Sequence, residues 1–554
     1  MKKVILTGVM LVAFAAAHAQ NTATLNQNGN YQTGVQQQTG ALQNSTITQT
    51  KGTSVNTGNF AGTYQTGTLA NTAAINQKDG SQGNRAGLTQ TGGGNGATIN
   101  QNGGALGTSG SAMSPPAANA INQVGDGNYA GIAQTGSGNT GVVIDQNNLS
   151  RKNSSEIWQN GNNNANTTTN QSGNSAGNFA EVLQGYSART TTGTASTGSK
   201  ATVQQTGGSA TESSDNNQTR VIQSGSGQIA TTKQNAGGGN DSFSNKTKIT
   251  QEGSSHKATT EQNAGGLGDS FFNEATILQV GTTGGHTATV MQSDRSSGNK
   301  ATVDQSGTTQ VALVEQLGSA LGSSADNMVT ITQTGANNNG YVSQSKYSQF
   351  NTADMTQSGS GNKGEIYQED DATYNKSKST QSGTNGIAFI YQGIGQSYAK
   401  AEIKQSGAAN QAYIGQDRGG DGDGNGTGNQ ATIDQLTTGS NNIATMYQGD
   451  YDVVPGITVS KDNTSLVTQR GSTNYVDIWQ AGSKNTSTIS QTGDKNRVQG
   501  IAGGVYGYDN EAKQFGTSNT LLINQTSAIG GMGHTASVEQ VGIGNTGVMT
   551  QTDN

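Results

Sequence analysis

Three histidines, His256, His286 and His534, are the first residues to consider for acid–base or metal chemistry. None has a second histidine close by in sequence, so no pair of imidazole ligands is formed locally. Each sits in the same local phrase, as in His286-x-Ala288-x-Val290-x-Gln292, where other copies of the phrase carry Asn. That makes each a polar edge residue of a repeating structure. The other candidate is "DRGGDGDGNGTGN" from Asp417, in which Asp421, Asp423, Asn425 and Gly426 match the opening of a calcium loop. Its twelfth position is Thr432 and not the bidentate Glu that such loops need, so the calcium signal is weak and the segment reads as an acidic link. No paired carboxylates suggest glycoside chemistry, and with no cysteine there is neither a disulfide nor a thiolate site. The expectation is a chain that is not an enzyme and needs no cofactor.

Aromatic residues favour the slot just before a glutamine: Trp158, Tyr367, Tyr391, Tyr447 and Trp479. Tyr367 and Tyr391 are 24 residues apart, a separation that recurs below. They are expected to point outward, as a sticky stripe or simply as good strand formers.

The elements that hold these residues must be built from little apolar material. Of 554 residues only 29% are hydrophobic and 12% charged, and 83 are glycine. That is too little for ordinary globular cores and too few charges for a solvated disordered chain. Net charge is −6 with no basic stripe, which argues against a nucleic-acid partner. Residues 1–19, with Lys2, Lys3, an apolar run and Ala17 and Ala19 flanking His18, have the layout of a secretory signal peptide. No later run is long and apolar enough for a transmembrane segment. Residues 20–554 are then one exported array.

Aligned on glutamine, the chain repeats Asn-x-Ala-x-(Ile/Val/Leu)-x-Gln-x-Gly. Copies include Asn84, Ala86, Leu88, Gln90 and Gly92, and Asn299, Ala301, Val303, Gln305 and Gly307. Further copies run through Asn474, Ile478, Gln480 and Gly482, then Asn485, Ile489, Gln491 and Gly493. About 38 units fit. Between Gln333 and Gln416 the glutamine spacing alternates between 11 and 13, so two strands and two turns occupy 24 residues. Elsewhere the short link often stays at 11, as from Gln469 to Gln480, while the long one stretches, giving expected loops near 103–118, 185–199, 417–429, 449–462 and 497–518. The three prolines, Pro115, Pro116 and Pro455, all fall in these links, where no ladder hydrogen bond is lost.

Asn, Ala, Ile and Gln share one parity, so a strand places all four on one face, whereas a helix would scatter them. The fold class expected is all-β: a two-sided parallel β-solenoid of about 19 strand-turn-strand rungs. When the fixed turn folds one strand over the next, each bulky position meets an Ala position. Gln and Asn then close both edges by bonding turn backbone and their own copies one rung away.

The phrase Gln480-x-Gly482-x-x-Asn485-x-Ser487-x-x-x-Gln491, echoed by Gln134-x-Gly136-x-x-Asn139, resembles the curlin repeat of bacterial curli fibres. The resemblance covers nearly the whole array. It implies a secreted subunit of an extracellular amyloid fibre, self-assembling on the surface of a bacterium with an outer membrane and serving biofilm matrix and adhesion. It further implies a nucleating subunit and an outer-membrane export pore as partners. A monomeric β-solenoid adhesin, or a glycan- or ice-binding rod, is the alternative reading. If the alternation is right, Ala86→Leu destabilises the array strongly while Gly87→Leu is tolerated; equal midpoints of urea unfolding for the two variants would contradict it.

Overall fold

The computed structural model describes residues 21–28, 33–40, 42–50, 60–67, 72–78, 85–93, 96–102, 120–124, 129–137, 142–146, 152–162, 164, 166–188, 191–192, 196–207, 213–236, 240–263, 268–281, 284–319, 323–417, 426–436, 439–449, 460–500, 511–528 and 530–553. The expected leader, Asn84, the link 103–118, Asp421, Asp423, Asn425, and the middles of the links at 449–462 and 497–518 lie outside them.

All regular elements among the described residues are strands, and all but one short pair stack in parallel as a β-solenoid. The chain divides into two compact units, residues 1–272 and 273–554. In the first unit one sheet runs from Thr22–Asn28 to Lys257–Glu261 and the other from Thr33–Gly40 to Lys246–Ser254. In the second, the corresponding sheets run from Thr287–Met291 to Glu539–Ile543 and from Glu274–Gly281 to Thr546–Thr552. Successive strands of a sheet come from successive rungs.

Register is residue for residue, so like stacks on like. Ala275, Ala301, Val329 and Ala353 form one column; Ile277, Val303, Ile331 and Met355 form the next; Gln279, Gln305, Gln333 and Gln357 the third. In the first unit Ala86, Leu88, Gln90 and Gly92 align with Ala130, Ile132, Gln134 and Gly136. Inward positions are buried and the intervening ones are not, as in Lys300–Ser306, where Ala301, Val303 and Gln305 are fully buried and Lys300 is exposed.

The core is thin and size-matched. Met355 is larger than the Ile or Val usual in its column, and the facing small positions carry Gly340 and Gly364 in place of Ala. A Cβ at either glycine would lie 2.8 Å from the Met355 sulfur, too close for an ordinary contact. At the short turn, Gly335 and Gly359 have φ of 92° and 93°, and a Cβ on Gly335 would overlap the Gly359 carbonyl oxygen of the next rung. Glycine there permits both the left-handed backbone and the rung spacing.

The long link is less free than its variable length implies. In the second unit its corner forms its own parallel column, Ala325, Gln349, Thr373, Ser397, Thr427, Lys461 and Ser483, bridged rung to rung. In the first unit the same corner is a short sheet of two-residue strands, Ser175–Ala176, Ser214–Asp215, Ser242–Phe243 and Ser270–Phe271. Extra residues are therefore inserted between the strand end and this corner, after which the chain rejoins the ladder. The expected loop at 185–199 departs further: Tyr186–Ala188 pairs antiparallel with Thr191–Thr192 before Ser196 rejoins beside Gly161.

Within Thr486–Thr492 two polar residues differ in what they hold. Ser487 donates to Ser465 Oγ at 2.8 Å, and Ser465 still donates to Gln480 Oε1 without it. Gln491 accepts from Gln469 at 2.9 Å and donates to Gln525 Oε1 and to the Tyr475 carbonyl. Ser487→Ala is expected to cost under about 1 kcal/mol, whereas Gln491→Leu strands three buried groups and costs about 3 kcal/mol or more, as read by denaturant unfolding of the dispersed chain.

Candidate assembly surfaces

The glutamines form two continuous amide ladders in the second unit. On one sheet Gln279 donates through Nε2 to Gln305 Oε1, and the chain continues through Gln333, Gln357, Gln381, Gln405, Gln435, Gln469, Gln491 and Gln525 to Gln551 at 2.7–2.9 Å per step. On the other sheet Gln292 begins a ladder that passes through Gln316, Gln344, Gln368, Gln392, Gln416, Gln448 and Gln480 to Gln514 and Gln540. The second hydrogen of each amide crosses the core to a carbonyl at the start of the opposite strand, as from Gln381 to Lys363 and from Gln368 to Thr352. One side chain thus links two rungs and two sheets.

Asparagine bonds turn backbone as expected, but it meets its copy one rung away through the main chain and not amide to amide. Asn299 Oδ1 accepts the backbone N–H of Asn327, Asn327 Oδ1 that of Asn351, and Asn485 Oδ1 that of Asn519. The Nδ2 group donates to turn carbonyls, as from Asn485 to Ala481 and Gly516. The shorter side chain reaches backbone and not its own copy. Asn474 and Asn496 repeat the arrangement at the other corner.

The histidines fit this role. His286 Nδ1 accepts the Gln310 N–H at 3.1 Å while Nε2 lies 3.1 Å from the Val280 carbonyl, reproducing the acceptor and donor of an Asn. His256 and His286 are fully buried. His534 keeps part of that role: its backbone N–H donates to Asn496 Oδ1, and its Nε2 lies 3.0 Å from the Thr526 carbonyl and 3.3 Å from the Asp553 carboxylate. Of the calcium candidate, Thr432 lies in the strand Gln430–Gln435 in register with Glu402 and Leu466.

The aromatic residues do not make one open stripe. Tyr367 aligns with Tyr391 in the ladder, but its ring packs diagonally between Tyr341 and Phe389, with centroids 5.2 Å apart in each case, and Phe389 stacks on Tyr413. Trp479 is only 3% exposed, edge-on to Phe515 and Tyr447, with Nε1 donating to the Gly449 carbonyl. Trp158 is half-buried against Leu183 and Ile222. A second aromatic column was missed in the sequence: Phe350, Tyr374 and Tyr398, again 24 residues apart, at the long-link corner. The aromatic residue just before the Asn slot was its signal.

Among charged groups on the outer face, Asp477 stands out. Burial pushes its carboxyl from 3.8 up to about 6, with Glu511 adding to the effect and the Tyr475 hydroxyl and Arg497 opposing it.

Residues 461–493 match the curlin associated repeat family. The chain carries a curlin repeat. The matched segment spans the strands Thr464–Arg470, Tyr475–Ser483 and Thr486–Thr492, and its rungs are in the same register as the others of the second unit. No curated protein matches the chain.

The raised carboxyl of Asp477 has a definite consequence for pH dependence. A folded-state pKa above the unfolded value means the ionised side chain opposes folding fully above about pH 6, and the penalty fades as pH falls toward the unfolded value. Asp477→Asn, which keeps an acceptor for Tyr475, is therefore expected to stabilise the fold at pH 7 by about 2–3 kcal/mol. The gain should shrink below pH 6 and vanish near pH 4 in urea titrations at each pH.

Proposed function

We propose that this chain is a secreted structural subunit of a curli-like extracellular fibre, polymerising end to end and acting through that polymer in biofilm matrix and adhesion, with no catalytic role. The observation that carries the proposal is the state of the outermost rungs. Thr546–Thr552 pairs with Thr520–Thr526 on one edge, and no described strand pairs with the other. Gln551 and Gln540 each donate once, to the Thr535 and Thr520 carbonyls, which leaves each Nε2 a second hydrogen directed onward with no acceptor among the described residues. In the first unit, Thr22–Asn28 and Thr33–Gly40 pair on one side alone among the described strands, and no side chain in either is buried. Gln27 and Gln38 donate to Gln49 and Gln65, leaving their Oε1 atoms as acceptors that no described residue fills. The outermost described rung of the second unit offers donors and that of the first unit acceptors, each on strand edges that another strand can extend.

The matched curlin repeat supports the same reading. Export to the surface of a bacterium with an outer membrane, an export pore and a nucleating subunit belong to the proposal through that family likeness. Purified chain without residues 1–19 is expected to form elongated fibrils with a meridional reflection near 4.7 Å and to bind amyloid dyes. Gln540→Glu/Gln551→Glu replaces the onward donors with charged acceptors, and seeded elongation should slow roughly tenfold or more with the β-sheet circular dichroism retained. Chain that stays monomeric for days in dilute buffer would overturn the proposal in favour of a solitary rod.

A further inference from the structure

The corner before the Asn slot repeats one backbone geometry through the second unit. Its residue adopts a left-handed conformation and its N–H donates to the rung before, as Tyr374 does to Gln349 and Tyr398 to Thr373. Gly298, Asp326, Gly428, Asp462, Lys484, Ser518 and Gly544 occupy it in other rungs, and the glycines and aspartates among them accept such a φ at small cost. Three consecutive rungs instead carry Phe350, Tyr374 and Tyr398, with φ of 55°, 55° and 56°. Large aromatic residues in this region are strained, by about 1 kcal/mol or more each. They do not recover the cost by burial, being 43%, 45% and 65% exposed. Their rings stack face to face, with centroids 4.8 and 5.0 Å apart and planes within 7°. The result is a rigid, exposed aromatic ridge along the stacking direction.

Charges flank the ridge asymmetrically. Along the rung, Asp370 and Asp371 precede Tyr374 and Lys376 follows it; Lys400 aligns with Lys376 one rung on. Asp371 and Lys376 are exposed, and among the described residues neither makes an ion pair. Lys346, the cation on the acidic side, is already bound to Glu369 and Asp370.

We propose that this ridge is a lateral docking surface for a second copy of the same chain, and that the two copies lie parallel. The inference rests on the proposed fibre and adds how fibres join side by side. The order Asp371, Tyr374, Lys376 fixes the orientation. A half-turn about the stacking axis brings the ridges together with Asp371 of each copy opposite Lys376 of the other. A half-turn across that axis sets Asp371 against Asp371 and Lys376 against Lys376, which is repulsive. Parallel docking covers the rings and pairs both free charges at once.

The test uses full-length chain without its leader and reads fibril width by electron microscopy alongside elongation rate. Phe350→Asn/Tyr374→Asn/Tyr398→Asn suits the left-handed corner and keeps the fold; it should give single filaments elongating at the wild-type rate. Asp371→Lys should reduce bundling at low salt, and adding Lys376→Asp should restore it. Bundles of unchanged width in the triple variant would overturn the proposal, and so would wider bundles in Asp371→Asn, since relief of like-charge contact marks antiparallel docking. Failure of wild-type chain to form any fibril would instead count against the fibre itself.

Discussion

The structure depends on one constraint: a glutamine amide buried in a thin core must find every hydrogen-bond partner inside it. Water is excluded at Gln381 or Gln405, so an unpaired amide there costs about 1–3 kcal/mol per group. The array meets the requirement by giving each amide a copy of itself one rung away and a carbonyl across the core. The solution works only if rungs are in register, because a slip of one residue replaces glutamine by an outward-facing position. Register and parallel stacking both follow from that single requirement. The apolar residues then have little left to do beyond filling volume, which is why a chain with 29% hydrophobic residues can be ordered.

Volume matching shows how closely the filling is controlled. Met355 faces glycine where its neighbours face alanine, and Ser377, in a small position, uses its hydroxyl on Gln392 Oε1 at 2.6 Å. Substitution within the core is thus compensated across the sheet and not along the column. The outer face has no such rule. It carries lysine, aspartate, threonine and aromatic residues in turn, as in the column Asp354, Lys378, Glu402 and Thr432.

Much of this was legible in the sequence, for a physical reason. Parity, the glutamine spacing and the Gln-x-Gly turn are side-chain signals repeated many times, and each maps directly to a column. The long-link corner was not legible, because its ladder is made by backbone groups of Gln349, Thr373 and Ser397, residues with nothing in common. The bonds of asparagine to turn backbone were legible, but not that it meets its copy through the main chain, because sequence cannot tell which an amide reaches; one methylene fewer decides for the main chain. Trp479 read as exposed from its parity, yet parity says only which side of the sheet a residue takes, and Phe515 and Tyr447 packed against it on that side cover it.

The ladders also carry a direction. In each rung one amide hydrogen is spent across the core, so the other points along the stack, and in both sheets of the second unit it points toward the later rung. Reversing a single amide would set two carbonyl oxygens together on one side and two NH₂ groups on the other, a double penalty in a dry core. The sense is therefore shared by every rung between Gln279 and Gln551 on one sheet and between Gln292 and Gln540 on the other. Strand direction is fixed by the parallel backbone, and the side chains agree with it. A stack built this way has chemically different ends, and a copy added to it can satisfy both backbone and amide ladders in only one orientation.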